Sequence, residues 1–179
     1  MIGLDANAAA MAEASRRAAA SPSRGGLPNA LFVVAAAERP PAELIGRADE
    51  VTVQFPWGSL LRGALAVDEI AARGLAALLT PGGRLVAVTS FTDRDGLDLP
   101  SLDEPAEASC LADRWSAIGL DLAAIRQATA DELRTTRSSW SRRLGAGRAR
   151  PVWRFELAAR TSLTPQRANL NAAGRIAER

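Results

Sequence analysis

"VTVQFPWGSLLRG", residues 51–63, begins as an alternating apolar strand and runs straight into a proline and a tryptophan. Alternation with a period of two marks a strand, and Pro56 and Gly58 end it. Trp57 therefore stands on the tip of a loop, although a core tryptophan sits more comfortably inside a strand or a helix. The fold is decided by what repeats on either side of this stretch.

Upstream, "MIGLDA" is a short apolar run ending at Asp5, and Asn7 can cap a helix running to about Ala20. "NALFVVAAAE" (29–38) is a second apolar strand ending in an acid, and "EVTVQF" (50–55) is the third. Downstream, a helix starts near Asp68, and "TPGG" (80–83) breaks it before a fourth strand, "RLVAVTSF" (84–91). A helix over 104–118 stops at Gly119, and "LDLAAIRQAT" (120–129) reads as a fifth strand. Thr129 and Glu132 form a capping box for a helix that carries Trp140, and "VWRFELAAR" (152–160) is the last strand. Apolar strands alternating with helices predict a parallel α/β sheet. Ligands in such sheets lie at the carboxyl ends of the strands, where Asp5, Glu38 and the "FPWG" loop all fall. Residues 1–160 read as one domain, and the polar tail 161–179 is expected to be mobile.

Composition narrows the chemistry. The 179 residues are 47% hydrophobic and 23% charged, ordinary for a soluble globular domain. No apolar run approaches a membrane span, so a cytoplasmic protein is expected, and the lone Cys110 fits a reducing compartment. With no histidine and one cysteine, Ser-His-Asp and Cys-His catalysis are excluded, as is a zinc site of the usual nitrogen and sulfur ligands.

The net charge of +2 conceals an asymmetry. Residues 1–133 hold eleven arginines against eighteen acids, whereas residues 134–179 hold eleven arginines against two. A GC-rich genome explains the absence of lysine but not the change of sign along the chain. A basic end of planar guanidinium forks suits a phosphate backbone, and six arginines fall within 134–150 without one acid. An acid at the end of one strand and another at the end of the next can bind a nucleoside. Taken alone, Asp5 and Glu38 read rather as an ordinary helix-flanking Asp and a loop Glu. Trp140 likewise continues a helical stripe with Leu133 and Leu144 that could be core.

Together, "IGLDAN", "NALFVVAAAE", "QFPWGSLLRG" and "SSWSRRLGAGRAR" resemble, in this order, the 16S rRNA (adenine-1408-N1)-methyltransferases. The resemblance covers about residues 2–157. It implies a class I S-adenosylmethionine (SAM) fold, Rossmann-like, acting on the 30S subunit as a single chain and conferring aminoglycoside resistance. By the resemblance, the target adenine is flipped out between Trp57 and Trp140, with Ser138 close to both cofactor and target. Asp5, Ala37 and Glu38 would contact SAM, with Ser59 near it, and Gln54 replaces the family's more usual aliphatic residue against the SAM adenine. Arg142, Arg143, Arg148 and Arg150 would dock on rRNA, with Arg150 best placed to grip the phosphate of the flipped nucleotide. Two indole faces can hold the base and stabilise the cation formed on it, at roughly 0.5–2 kcal/mol each. Adenine N1 has a free lone pair, so no general base is needed. "FPWG" also stands where exocyclic-amine methyltransferases carry Asn/Asp-Pro-Pro-aromatic, which argues against that reaction.

One family element is not found. Class I enzymes start with a strand and a glycine-rich turn beneath the cofactor, whereas this sequence opens within what should be the second strand. "GAG" (145–147) follows a helix and is no substitute. In the family order 3-2-1-4-5-7-6 that strand is central, so backbone groups are left unpaired unless the sheet closes up. A start assigned too far downstream is the favoured explanation, ahead of a degenerate remnant or a strand supplied by a partner. A remnant that binds RNA without transferring a methyl group and a small-molecule SAM methyltransferase are the alternative functions.

Overall fold

The computed structural model describes residues 1–92, 102, 105–135 and 150–161. Six strands and five α-helices lie along them. In chain order they are β1 (Ile2–Asp5), α1 (Ala8–Ala18), β2 (Leu31–Val34), β3 (Ala48–Gln54), α2 (Gly58–Ala64), α3 (Glu69–Ala77), β4 (Leu79–Thr89), α4 (Pro105–Ile118), β5 (Leu120–Gln127), α5 (Ala130–Thr135) and β6 (Trp153–Ala159). None of the helices among the described residues is long and apolar enough to cross a membrane.

The strands form two ladders. β1 pairs with β2 in parallel, and β3, β4, β6 and β5 form a four-stranded sheet in that order. β3 and β4 are parallel, but β6 runs antiparallel to both β4 and β5, so the sheet is mixed rather than all parallel. Direction is not encoded in the apolar alternation that reveals a strand, and the sequence reading erred there. The sheet also does not close up. β1 and β3 share no ladder, and the interruption falls where the family order places its first strand.

The main core lies on one face of the larger sheet. Leu85 and Ala87 of β4, Phe155 and Leu157 of β6, and Trp115 of α4 are almost wholly buried there. The register explains the clustering: Ala87 stands opposite Val53 and Phe155, and Phe155 opposite Ile125. A smaller cluster of Phe55, Val88 and Val152 is separate from it. Arg160 fastens one end of the sheet, donating to Ser116 Oγ and to Asp121, at 2.7 Å to Oδ1.

The helix signals hold where side chains make them. Asn7 caps α1 by accepting from the Ala10 N–H at 3.1 Å, and Asp68 caps α3 by accepting from the Ala71 N–H. Gly119 ends α4 with φ of +99°. Two readings change. "TPGG" does not precede the fourth strand but lies within it: Ala48 pairs with Leu79 and Glu50 with Arg84, so Thr80–Gly83 is an irregularity in the ladder. α2 was not anticipated. Its two glycines give it little helical propensity, and it is held by packing, since a Cβ on Gly63 would lie 2.5 Å from Ala71 Cβ of α3.

The capping box before α5 is complete. Thr129 N–H donates to Glu132 Oε2 at 2.8 Å, and Glu132 N–H donates back to Thr129 Oγ1 at 3.3 Å. Arg126 grips the same carboxylate with both terminal nitrogens, at 2.8 and 2.6 Å. These bonds, Arg126 first and the Thr129 N–H second, hold the Glu132 carboxyl well below the usual carboxylate range. A lowered folded-state pKa adds stability that is complete above the unfolded value, about 4.3, and is lost as pH falls toward the folded one. The thermal midpoint of the wild type is therefore expected to fall more steeply between about pH 5 and pH 2 than that of Glu132→Gln. Parallel midpoint profiles of the two proteins would show that this carboxylate contributes nothing to the pH dependence.

Candidate functional site

The residues singled out in sequence come together in two groups, with a third outside the described residues. The first group sits at the carboxyl ends of β1 and β2. Ala35 N–H donates to the Asp5 carbonyl at 3.1 Å, so the two strand ends lie side by side. Asp5 is exposed and turns one carboxylate oxygen onto the Asn7 N–H, at 2.8 Å, while Asn7 caps α1. Its other carboxylate oxygen has no hydrogen-bond partner among the described residues. Glu38, half-buried in the loop after β2, makes no hydrogen bond or ion pair among them. Two carboxylates at adjacent strand ends, each with acceptor capacity to spare, can receive hydroxyl donors.

Ala37 is fixed from behind. A Cβ on Gly74 of α3 would lie 1.7 Å from the Ala37 carbonyl oxygen and 2.9 Å from its carbonyl carbon. Only glycine lets α3 come so close to the loop that carries Ala37 and Glu38. Nothing in the sequence marks Gly74, because a glycine inside an apolar helix reads as a tolerated weakness.

The second group is the "FPWG" loop at the carboxyl end of β3. Trp57 is 71% exposed and occupies the N-cap position of α2, although its side chain makes no capping bond. Gly58 follows with φ of +59°, which turns the chain from the loop into the helix. Ser59 is exposed in the first turn of α2. Phe55, two residues before Trp57, is only 3% exposed and has φ of +48°. A left-handed backbone is rare for an aromatic residue, and residue type gave no sign of it.

In the third group, Ser138, Trp140, Arg142, Arg143 and Arg148 lie outside the described residues, as do residues 162–179 of the tail. Arg150 is described, half-buried, and leads through Pro151 into β6; Ser90 Oγ donates to the Pro151 carbonyl at 2.9 Å. The arginines flanking this segment are engaged. Arg134 pairs with Asp131, and Arg154 lies 2.8 Å from Glu156 and 3.7 Å from Glu132. The first arginine of the acid-free run is thus paired in space, and so is Arg154 just beyond its other end.

Comparison with known proteins shows the family. The model of the family described as "NpmA: 16S rRNA (adenine(1408)-N(1))-methyltransferase" matches residues 1–159. The 16S rRNA (adenine(1408)-N(1))-methyltransferase of Streptoalloteichus tenebrarius is 39% identical over 156 residues, covering 84% of this chain and 71% of that protein. An rRNA methyltransferase of Saccharopolyspora hirsuta is 40% identical over 143 residues, covering 77% of this chain and 91% of that protein. Among solved structures, a tryptophan-to-alanine variant of the 16S rRNA (adenine(1408)-N(1))-methyltransferase from Catenulisporales acidiphilia, with cosubstrate SAM, superposes with a TM-score of 0.78. It is 35% identical, and the match covers 92% of this chain and 76% of that one. The split sheet fits this kinship: laid end to end, the orders β2-β1 and β3-β4-β6-β5 reproduce the class I order 3-2-1-4-5-7-6 with its strand 1 left out. With a family model matching nearly its whole length and relatives close to 40% identical, the chain belongs to the 16S rRNA (adenine(1408)-N(1))-methyltransferase family.

Proposed function

We propose that this protein transfers a methyl group from SAM to N1 of adenine 1408 of 16S rRNA on the 30S subunit, acting in the cytoplasm as a single chain, and thereby confers aminoglycoside resistance. Family membership supports the reaction class. The observation that carries the reading is Trp57, an indole 71% exposed on a loop whose Phe55, two residues earlier, is buried. A large exposed aromatic at the carboxyl edge of a sheet has little value to the fold and much to a ligand with a flat face.

The residues at β1 and β2 fit the nucleoside of SAM. Asp5 would accept hydroxyl donors of the ribose through its free carboxylate oxygen, and Glu38 would lie near the base. Ala37, pressed forward by α3, would wall that side of the site, and Ser59 would stand near the methyl-bearing end. When bound, SAM would supply an electrophilic methyl group: the adenine N1 lone pair takes the methyl as its bond to sulfur breaks, S-adenosylhomocysteine is left as the thioether, and no proton has to be removed. Trp57 holds the flipped base from one face and Trp140 from the other, and both indoles favour the positive charge that appears on the ring. Ser138 lies between the two ligands in this reading. Arg142, Arg143, Arg148 and Arg150 pair with rRNA phosphates, and Arg150 takes the phosphate of the flipped nucleotide.

A second reading is 30S binding without methyl transfer. Titration with SAM followed by a 30S methylation assay separates the two, since binding to 30S subunits with no methyl incorporated identifies the second. A small-molecule SAM methyltransferase is distinguished by arginine substitution.

Three outcomes are expected of the enzyme. Gly74→Ala, which forces α3 away from Ala37, weakens SAM binding by at least about tenfold in calorimetric titration while the protein stays folded. An unchanged Kd would detach this loop from the cofactor site. Trp57→Ala and Trp140→Ala each lower kcat on 30S subunits by at least about tenfold, equivalent to about 1.4 kcal/mol, with far less effect on 30S affinity. Retained turnover would sink base stacking. The double change Arg148→Ala with Arg150→Ala abolishes 30S methylation and spares SAM binding; unimpaired methylation would point to a small-molecule substrate.

A further inference from the structure

We propose that Phe55 is a positioning residue whose buried ring ties the loop carrying Trp57 to the two other chain segments that face the target. The inference deepens the reading above and rests on it for the identity of those segments.

The small apolar cluster apart from the main core consists of Phe55, Val88 and Val152, with Ala128 and Leu133 half-buried against it. Its members come from places distant in sequence. Phe55 precedes Trp57 by two residues, and Val152 follows Arg150 by two. Leu133 lies on α5, the helix that leads toward Ser138 and Trp140, and Ala128 stands just before that helix. Val88 belongs to β4 and anchors the group to the sheet. Each of the three target-facing segments thus contributes an apolar side chain to one nucleus.

Backbone bonds reinforce the arrangement. Phe55 N–H donates to the Val88 carbonyl at 2.7 Å, and Ala128 N–H donates to the Val152 carbonyl at 2.8 Å. Phe55 itself is held at φ of +48°, a conformation that a bulky residue keeps only where its surroundings over-determine it. The same turn has two effects: the Phe55 ring points into the cluster, and Trp57 emerges into solvent. A residue serving only the fold would not need a strained backbone. Here the strain is what reconciles a buried ring with an exposed indole two positions later. The cluster is small, so loss of one ring leaves the main core intact while uncoupling the segments.

Hydrogen exchange on the 179-residue chain, read peptide by peptide, tests this with Phe55→Gly, Phe55→Leu and Leu133→Ala. Glycine accepts the left-handed backbone without strain but has no ring, whereas leucine keeps an apolar filler. Phe55→Gly is expected to speed exchange at least tenfold over 130–135 and 150–152, and Leu133→Ala to do so over 55–61. Exchange in β4 and β6 should stay unchanged, and Phe55→Leu should restore most of the protection. On 30S subunits, Phe55→Gly and Leu133→Ala should each lower kcat about tenfold and leave the Kd for SAM unchanged. Effects confined to the substituted segment would overturn the proposal. So would uniform acceleration through β4 and β6, which marks a merely structural role, or unchanged kcat in an uncoupled variant. If Phe55→Gly does not fold, Leu133→Ala and Phe55→Leu decide the matter alone. A wild type that shows the exchange coupling but no methylation would count against the proposed reaction and overturn the positioning role with it, leaving the coupled cluster as a feature of the fold.

Discussion

β4 has to be satisfied on four sides at once. Its backbone pairs with β3 on one edge and β6 on the other, and both of its faces are covered. Unpaired polar side chains are costly in that position, and "LVAV" (85–88) carries none; Thr89, at the end of the strand, is fully buried with its hydroxyl unpartnered among the described residues. Its alternate residues divide the protein into two interiors. Leu85 and Ala87 face the large core under the helices, while Val88 faces the small one beneath the Trp57 loop. Through this strand the packing that stabilises the domain is connected to the packing that arranges the site.

The helices were legible because their ends carry chemistry. Asn7, Asp68 and the Thr129–Glu132 pair each satisfy an N–H that a helix cannot satisfy by itself, and such residues can be recognised without a structure. The strands were legible as strands, but their directions were not, because a ladder's sense depends on where the chain returns from. α2 escaped notice since its stability comes from Gly63 lying against Ala71, a tertiary contact with no local signature. Trp57 could be singled out because a tryptophan between a proline and a glycine has no local reason to be buried. Phe55 and Gly74 could not: one reads as the last residue of a strand and the other as a helix flaw. Their importance lies in what approaches them across the fold.

Charge shows the same division between pattern and placement. The arginine-rich end of the sequence reads as one positive block, yet in the folded chain Arg134, Arg154 and Arg160 are each turned toward a carboxylate. Of the three, the Arg134–Asp131 pair is the most exposed, and a pair of that kind contributes little to stability and is readily exchanged for a better anion. Arg134 and Asp131 are both largely exposed, so that guanidinium is held in reserve rather than consumed. Arg126 and Glu132 form a tighter, two-pronged pair that also caps α5, so it belongs to the scaffold.

The divided sheet has a consequence for what can join it. Each ladder ends in two open rims, so the described residues present four rows of unpaired amides and carbonyls where a continuous sheet would present two. The rim at β1 lies beside exposed Ile2, Leu31 and Val34, an oily neighbourhood with few charges to repel a visitor. An extended apolar segment laid along it, from this chain or another, finds both hydrogen-bonding partners and a surface on which to shed water. The place between β1 and β3 is therefore one that a further strand, from whichever chain, can fill with gain to both ladders.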